Sequence, residues 1–255
     1  MYKTPKIQLD KQTILVFIAH LPSMSHYQEE LWYTLSDQER GQSRKFFNNP
    51  LRDNYILSHG ILRSLLSCYV SKRSQDINFL ANQYGKPFLA NNKNKIQFNM
   101  SHSKEYAAYI IALENQVGID IEWEDKDVNI EEITELVLSP TERIHFNRLN
   151  EREKVHNFYE IWTKKEAIIK AIGQGLSYPI KMIDTIGSAL NSNFYYVSSD
   201  NKPYYYSKLG NLDGYVGAIA SASKQSKVIQ IDLNTNKITK FLQSNIDKNF
   251  IEQGF

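Results

Sequence analysis

A chain of 255 residues with 42% hydrophobic and 12% aromatic residues has the material for a folded core, which excludes a disordered polymer. Its 30 Lys and Arg against 28 Asp and Glu leave a formal charge of +2, so the dominant basic face of a nucleic-acid binder is not expected. One cysteine, Cys68, rules out an intrachain disulfide framework, and no stretch reaches the ~18 apolar residues of a membrane helix, so the expected location is cytoplasmic.

The apolar run at residues 14–19 reads as a buried strand. Ser36 with Glu39 three residues on has the form of a capping box and predicts a helix start. Over residues 53–70, Ile56, Leu57, Ile61, Leu62, Leu65, Leu66 and Tyr69 recur at helical spacing and predict an amphipathic helix, with Cys68 as a small buried residue on it. Residues 82–87 carry Gly85 and Pro87 and read as a turn. Residues 96–100, 107–113 and 117–122 read as strands, with a turn at Asn115 and Gln116. A helix is expected over 130–138. Ser139, Pro140 and Glu142 mark the N-terminus of the next, and a long helix over 152–172 ends at Gly173. Strands at 194–197 and 215–220 follow, and 228–233 with 237–239 suggests a hairpin about 234–236.

Two acidic clusters stand out. Strand alternation puts Asp120 and Glu122 on one face and Ile119 and Ile121 on the other. On the long helix, Trp162, Glu166, Lys170 and Gly173 share one stripe, with Lys165 flanking. Three carboxylates suit Mg²⁺, which favours oxygen ligands and a partner phosphate, and lysines hold the remaining phosphate oxygens. Each cluster alone is an ordinary solvated face or helix ion pair. Their order, with Trp162 before and Gly173, Gly175 and Leu176 after, points to chemistry on a phosphate ester.

At these residues the chain resembles the 4′-phosphopantetheinyl transferases of the surfactin-synthetase-activating type. The first signature reads Gly118-Ile119-Asp120-Ile121-Glu122. The second runs from Phe158 through Trp162, Lys165, Glu166, Ala167, Lys170 and Gly173 to Gly175-Leu176. Tyr84-Gly85-Lys86-Pro87 and Phe98-Asn99-Met100-Ser101-His102-Ser103 match two further family elements, and the stretch from Leu35 to Arg63 matches a third more loosely.

The resemblance implies an α+β pseudo-dimer of two similar halves, each a small antiparallel sheet packed on a long helix. The halves would be residues 1–115, with contacts to the adenosine end of coenzyme A, and residues 116–255, with the metal site, the catalytic helix and a tail. It implies Mg²⁺-dependent transfer of the 4′-phosphopantetheine arm of coenzyme A to a serine of an acidic acyl or peptidyl carrier protein, releasing adenosine 3′,5′-bisphosphate. Asp120, Glu122 and Glu166 would surround the metal. Glu166 or a metal-bound water would take the serine proton. Lys170 would contact phosphate with support from Lys165. Lys86, Ser101 and His102 would hold the adenosine end and its 3′-phosphate, with Arg44, Lys45 and Arg52 as further basic contacts. Asn54 and His59 stand where family members often carry arginines, and Arg52 or Arg63 are the candidate replacements. The resemblance also implies a monomer. The competing class is a relative that binds coenzyme A or a carrier without transfer, and the intact Asp120, Glu122, Glu166 and Lys170 count against it.

Overall fold

A computed structural model describes residues 9–70, 72–186, 195–198, 201–210, 212–224 and 226–234. Ten strands form two four-stranded sheets and one small hairpin among these residues. In the first sheet the order is β10 (Lys227–Asp232), β1 (Thr13–His20), β5 (Tyr106–Leu113), β4 (Ile96–Ser103). In the second it is β6 (Val117–Trp123), β9 (Tyr215–Ser221), β8 (Pro203–Lys208), β7 (Tyr195–Val197). The hairpin joins β2 (Phe79–Ala81) to β3 (Pro87–Leu89).

The period of two decides the layering. In β1, Leu15, Phe17 and Ala19 pack with Leu57, Ile61, Leu65 and Leu66 of helix α3 (Asn49–Ser67). The alternate residues Ile14, Val16 and Ile18 pack instead with Val117, Ile119 and Ile121 of β6. Both faces of β1 are therefore buried, which is why its sequence reads as an unbroken apolar run. On the far side of the second sheet, Ala167, Ile168 and Ala171 of helix α6 (Glu151–Ile172) pack with Ala218 and Ala220. The order of layers is α3, first sheet, second sheet, α6.

Local chemistry sets the helix boundaries. Helix α1 (Gln28–Thr34), without a side-chain cap, went unread in the sequence. Helix α2 (Asp37–Ser43) begins at the capping box of Ser36 and Glu39. Helix α4 (Ile130–Val137) is capped by Asn129, and helix α5 (Pro140–Phe146) starts at the box of Ser139 and Glu142. Asn150 and Glu153 form a third box at α6, which ends where Gly173 turns left-handed at φ 84°. The Cys68 thiol, only half-buried, donates to the Ser64 carbonyl at 3.3 Å.

One expectation is corrected: β10 pairs with β1 in parallel, so not every pairing is antiparallel. Ile229, Ile231 and Leu233 alternate into the core beside α3, which favours this edge. The stretch expected as a C-terminal half thus returns its last described strand to the first sheet. Residues 237–239 and Phe194 lie outside the described residues. No helix among the described residues is long and apolar enough to cross a membrane.

Candidate functional site

The site lies where α6 crosses β6. The backbones touch because of two glycines. A Cβ at Gly118 would stand 2.0 Å from the Ala167 carbonyl oxygen and 2.5 Å from the Ala171 nitrogen. On β9, a Cβ at Gly217 would stand 2.9 Å from the Asp120 carbonyl oxygen. With Ile119 and Ile121 committed to the core between the sheets, Asp120 and Glu122 are left facing α6.

The free edge of β6 meets β4 through side chains. Asn99 Oδ1 accepts from the Ile119 amide at 3.0 Å, and Ser103 Oγ accepts from the Trp123 amide at 3.0 Å. Ser103 donates to Glu122 Oε2 at 2.9 Å and Ser101 to Asp120 Oδ1 at 2.8 Å. Asn99, Ser101 and Ser103 are spaced by two, so one face of β4 supplies all four bonds. This role was missed in the sequence reading, although the alternation of short polar side chains within 96–103 was its signal.

Lys170 closes the site from the helix. Its Nζ lies 2.6 Å from Asp120 Oδ1 and 3.0 Å from Ser101 Oγ. Asp120 is 2% exposed, and its second oxygen, Oδ2, is buried with no hydrogen-bond partner. A buried charge half-satisfied in this way is costly unless a cation completes it. Glu166, one turn before Lys170, has no hydrogen-bond or ion-pair partner among the described residues.

Burial, and in two of the three their mutual repulsion, make these carboxylates reluctant to ionise. Burial raises Asp120 above the usual carboxylate range against the pull of Lys170 and Ser101. Burial and then the charge of Asp120 raise Glu122. Burial and then the charges of Asp120 and Glu122 push Glu166 up to about 7, with Lys170 opposing. The oxygen-only donor set and the orphaned Asp120 Oδ2 fit a hard divalent cation. Among the described residues no three acidic, histidine or cysteine side chains form a ready-made metal cage.

The remaining expected residues fall elsewhere. Lys165 is fully buried, 2.6 Å from Glu142 Oε2 and from the Val137 carbonyl. It precedes Glu166 by one position and lies five before Lys170, which turns it away from the cleft toward α4 and α5. It is an internal strut and not a phosphate contact. Lys86 Nζ donates to the carbonyls of Ala171 at 3.0 Å and Val117 at 3.2 Å. Ser101 is committed to Asp120 and Lys170. His102 stands at the rim, exposed, with its imidazole lowered by the protein around it and by the charges of His59 and Lys170.

Arg44 and Arg52 do come together, but in a groove of about 680 Å³ lined with Trp32, Tyr33 and Ile56, sharing no residue with the carboxylate cleft. The Arg44 guanidinium lies over Trp32 at 5.5 Å, and Arg52 Nε is 3.5 Å from Asp53. Lys45 is exposed nearby in sequence. Arg63 is buried, paired with Glu39 and donating to the carbonyls of Ser74 at 2.7 Å and Ile77 at 2.9 Å, so it is not a free replacement for a phosphate-binding arginine. Asn54 donates to the Lys104 carbonyl at 3.0 Å, and His59 stacks on Tyr55 at 4.0 Å.

Comparison with known proteins gives the family. Residues 116–220 match the family model described as the 4′-phosphopantetheinyl transferase superfamily, and residues 20–114 match the one described as 4′-phosphopantetheinyl transferase, N-terminal. The 4′-phosphopantetheinyl transferase HetI of Nostoc sp. is 28% identical over 177 residues, covering 69% of this chain and 75% of the relative. The 4′-phosphopantetheinyl transferase Sfp of Bacillus subtilis is 31% identical over 160 residues, covering 62% and 69%. The 4′-phosphopantetheinyl transferase gsp of Aneurinibacillus migulanus is 36% identical over 132 residues, covering 51% and 53%.

Proposed function

The chain belongs to the 4′-phosphopantetheinyl transferase superfamily, and we propose that the cleft between β6 and α6 is where it does this chemistry. The protein is a transferase that passes the phosphopantetheine arm of coenzyme A to a carrier protein. The observation that carries the assignment to this cleft is Asp120: buried, bridged to Lys170 and Ser101 through one oxygen, and unsatisfied at the other.

Asp120, Glu122 and Glu166 are the residues to hold Mg²⁺. When bound, the ion neutralises charge on the pyrophosphate of coenzyme A and on the departing nucleotide. Lys170 supplies a compact cation to the phosphate oxygens, held in place by Asp120 and Ser101. His102, exposed and within the field of Lys170, would face the nucleotide.

The reaction balances as a single displacement. The carrier's serine oxygen forms a bond to the phosphorus that bears the pantetheine arm. The bond from that phosphorus to the bridging oxygen breaks, and its electron pair leaves with adenosine 3′,5′-bisphosphate. The serine proton goes to Glu166, whose carboxylate has no other partner among the described residues. An acidic carrier suits a chain with net charge +2.

The test is incubation with coenzyme A, Mg²⁺ and a panel of apo acyl and peptidyl carriers, followed by intact mass of each carrier. A carrier heavier by one phosphopantetheine is the expected result, with the gain lost when Mg²⁺ is chelated. A panel that stays at apo mass refutes transfer, and transfer that survives chelation refutes the metal role.

A further inference from the structure

The turn at residues 82–86 sits on the catalytic helix although it belongs to the β2–β3 hairpin. Asn82 Nδ2 donates to the Gly173 carbonyl at 2.7 Å. Lys86 Nζ donates to Ala171, at the end of α6, and to Val117, at the start of β6. The last carbonyls of a helix have no partners within it and carry its negative end, so an ammonium there is doubly favoured. Gly173 completes the fit: a Cβ on it would lie 2.8 Å from Lys86 Cδ, and its φ of 84° suits glycine. The turn is itself braced, because Asn82 Oδ1 accepts from the amides of Tyr84 and Lys86 at 2.9 Å each.

The two carbonyls that Lys86 joins lie next to the working residues. Val117 precedes Asp120 on β6, and Ala171 follows Lys170 on α6. One half-buried ammonium therefore ties together the two elements whose side chains meet at 2.6 Å in the site. Burial lowers its affinity for the proton, to about 8.

We propose that Lys86 is a positioning residue: with Asn82 and Gly173 it clasps the first half of the chain onto the catalytic helix and fixes the Asp120 to Lys170 spacing, and it does not read the 3′-phosphate of coenzyme A. The inference rests on the transfer reaction assigned above. It gives one physical reason for the lysine of the turn at 84–87 and the glycine that ends α6.

The experiment compares wild type, Lys86→Met, Gly173→Ala and the double variant, with coenzyme A and 3′-dephospho-coenzyme A as donors and amide hydrogen exchange as a second readout. Lys86→Met should lower kcat/KM by ~10-fold for both donors alike, leaving the ratio between them at the wild-type value. Exchange should rise at the end of α6. Gly173→Ala should do the same, since it displaces the lysine stem. The double variant should be no worse than the poorer single variant, the sign of one shared device. A donor ratio that moves toward one in Lys86→Met overturns the proposal, because the lysine then reads the phosphate. So does unchanged exchange at the end of α6, or losses that simply add. Should the wild-type protein transfer to no carrier, the functional assignment falls, while hydrogen exchange in the same variants still decides the clasp. Lys86→Arg keeps the charge in a larger fork and should recover part of the protection if Lys86→Met proves too unstable to assay.

Discussion

Glu166→Gln separates the electrostatics of the cleft from its chemistry. In the folded protein Glu166 ionises at about 7 against an ordinary 4.5, because burial and the charges of Asp120 and Glu122 oppose it. A carboxyl raised in this way weakens the fold when ionised. The penalty is full above about 7 and relieved as pH falls toward 4.5. At ~1.36 kcal/mol per tenfold change, the difference corresponds to ~3 kcal/mol as an upper bound, shared among three coupled carboxyls. Part of Glu166 reaches solvent, so about 1–3 kcal/mol is the working range. For a chain of this size each kcal/mol moves the melting temperature by ~2–4 °C. Glu166→Gln removes the charge and keeps the shape. In EDTA at pH 8 the variant should therefore melt several degrees above the wild type, and at pH 5 the two should converge. Adding Mg²⁺ with coenzyme A should raise the wild type and leave the variant behind, since binding stabilises only the state that binds. A variant that melts level with or below the wild type at pH 8 in EDTA would show that neither burial nor the neighbouring carboxylates penalise an ionised Glu166, and the reasoning about the cleft would fail.

Four further outcomes follow from named contacts. Asp120→Asn should cut transfer by ~10²–10³-fold at saturating Mg²⁺ with circular dichroism unchanged, and activity near the wild-type level would remove Asp120 from the machinery. Gly118→Ala drives a methyl into the backbone of α6, so denaturant unfolding should show a loss above ~3 kcal/mol, where a near-neutral value would mean that α6 does not press on β6. Lys165→Met strands the buried Glu142 carboxylate and should cost ~3–5 kcal/mol, with Lys165→Met/Glu142→Gln recovering part of it. The KM for coenzyme A should not move in folded Lys165→Met, and a rise there would restore Lys165 as a ligand. Glu39→Gln tests acid stability. Burial alone would raise Glu39, but His59, Arg63 and Ser36 outweigh it and hold the carboxyl at about 2, so its stabilisation is complete above 4.5 and lost as pH falls toward 2. The gap between wild type and Glu39→Gln should be ~3 kcal/mol near pH 6 and close within that window, while a gap independent of pH contradicts the assignment.

What was readable in the sequence was whatever one element decides alone. Alternation in 117–122 separates Ile119 and Ile121 from Asp120 and Glu122 without knowledge of any partner, and the structure sends the two sets to opposite sides. Helical spacing aligns Glu166 with Lys170, and capping boxes announce α2 and α5. The failures share a cause. Lys165 looks like a free cation because lysine is normally solvated, and only the tertiary structure reveals the buried carboxylate that it meets. The pairing of β10 is of the same kind: 228–233 is plainly a strand, but nothing local announces its parallel place beside β1.

The same distinction explains why polar groups at this site divide into those that act and those that hold. Lys165 and Lys170 lie five positions apart on one helix, and a turn of roughly 100° per residue puts one into the core and the other on the cleft. The buried pair of Lys165 and Glu142 is satisfied on both sides: Glu142 also accepts from the Ser139 and Thr185 amides at 2.8 Å each. Asp120 is equally buried, yet one oxygen lacks a partner. A fold that needed Asp120 only for stability would gain by supplying that donor, as it does for Glu142. The unfilled acceptor, beside a Glu166 without a hydrogen-bond partner among the described residues, is a cost in the folded chain that a bound cation and a phosphate ester would offset.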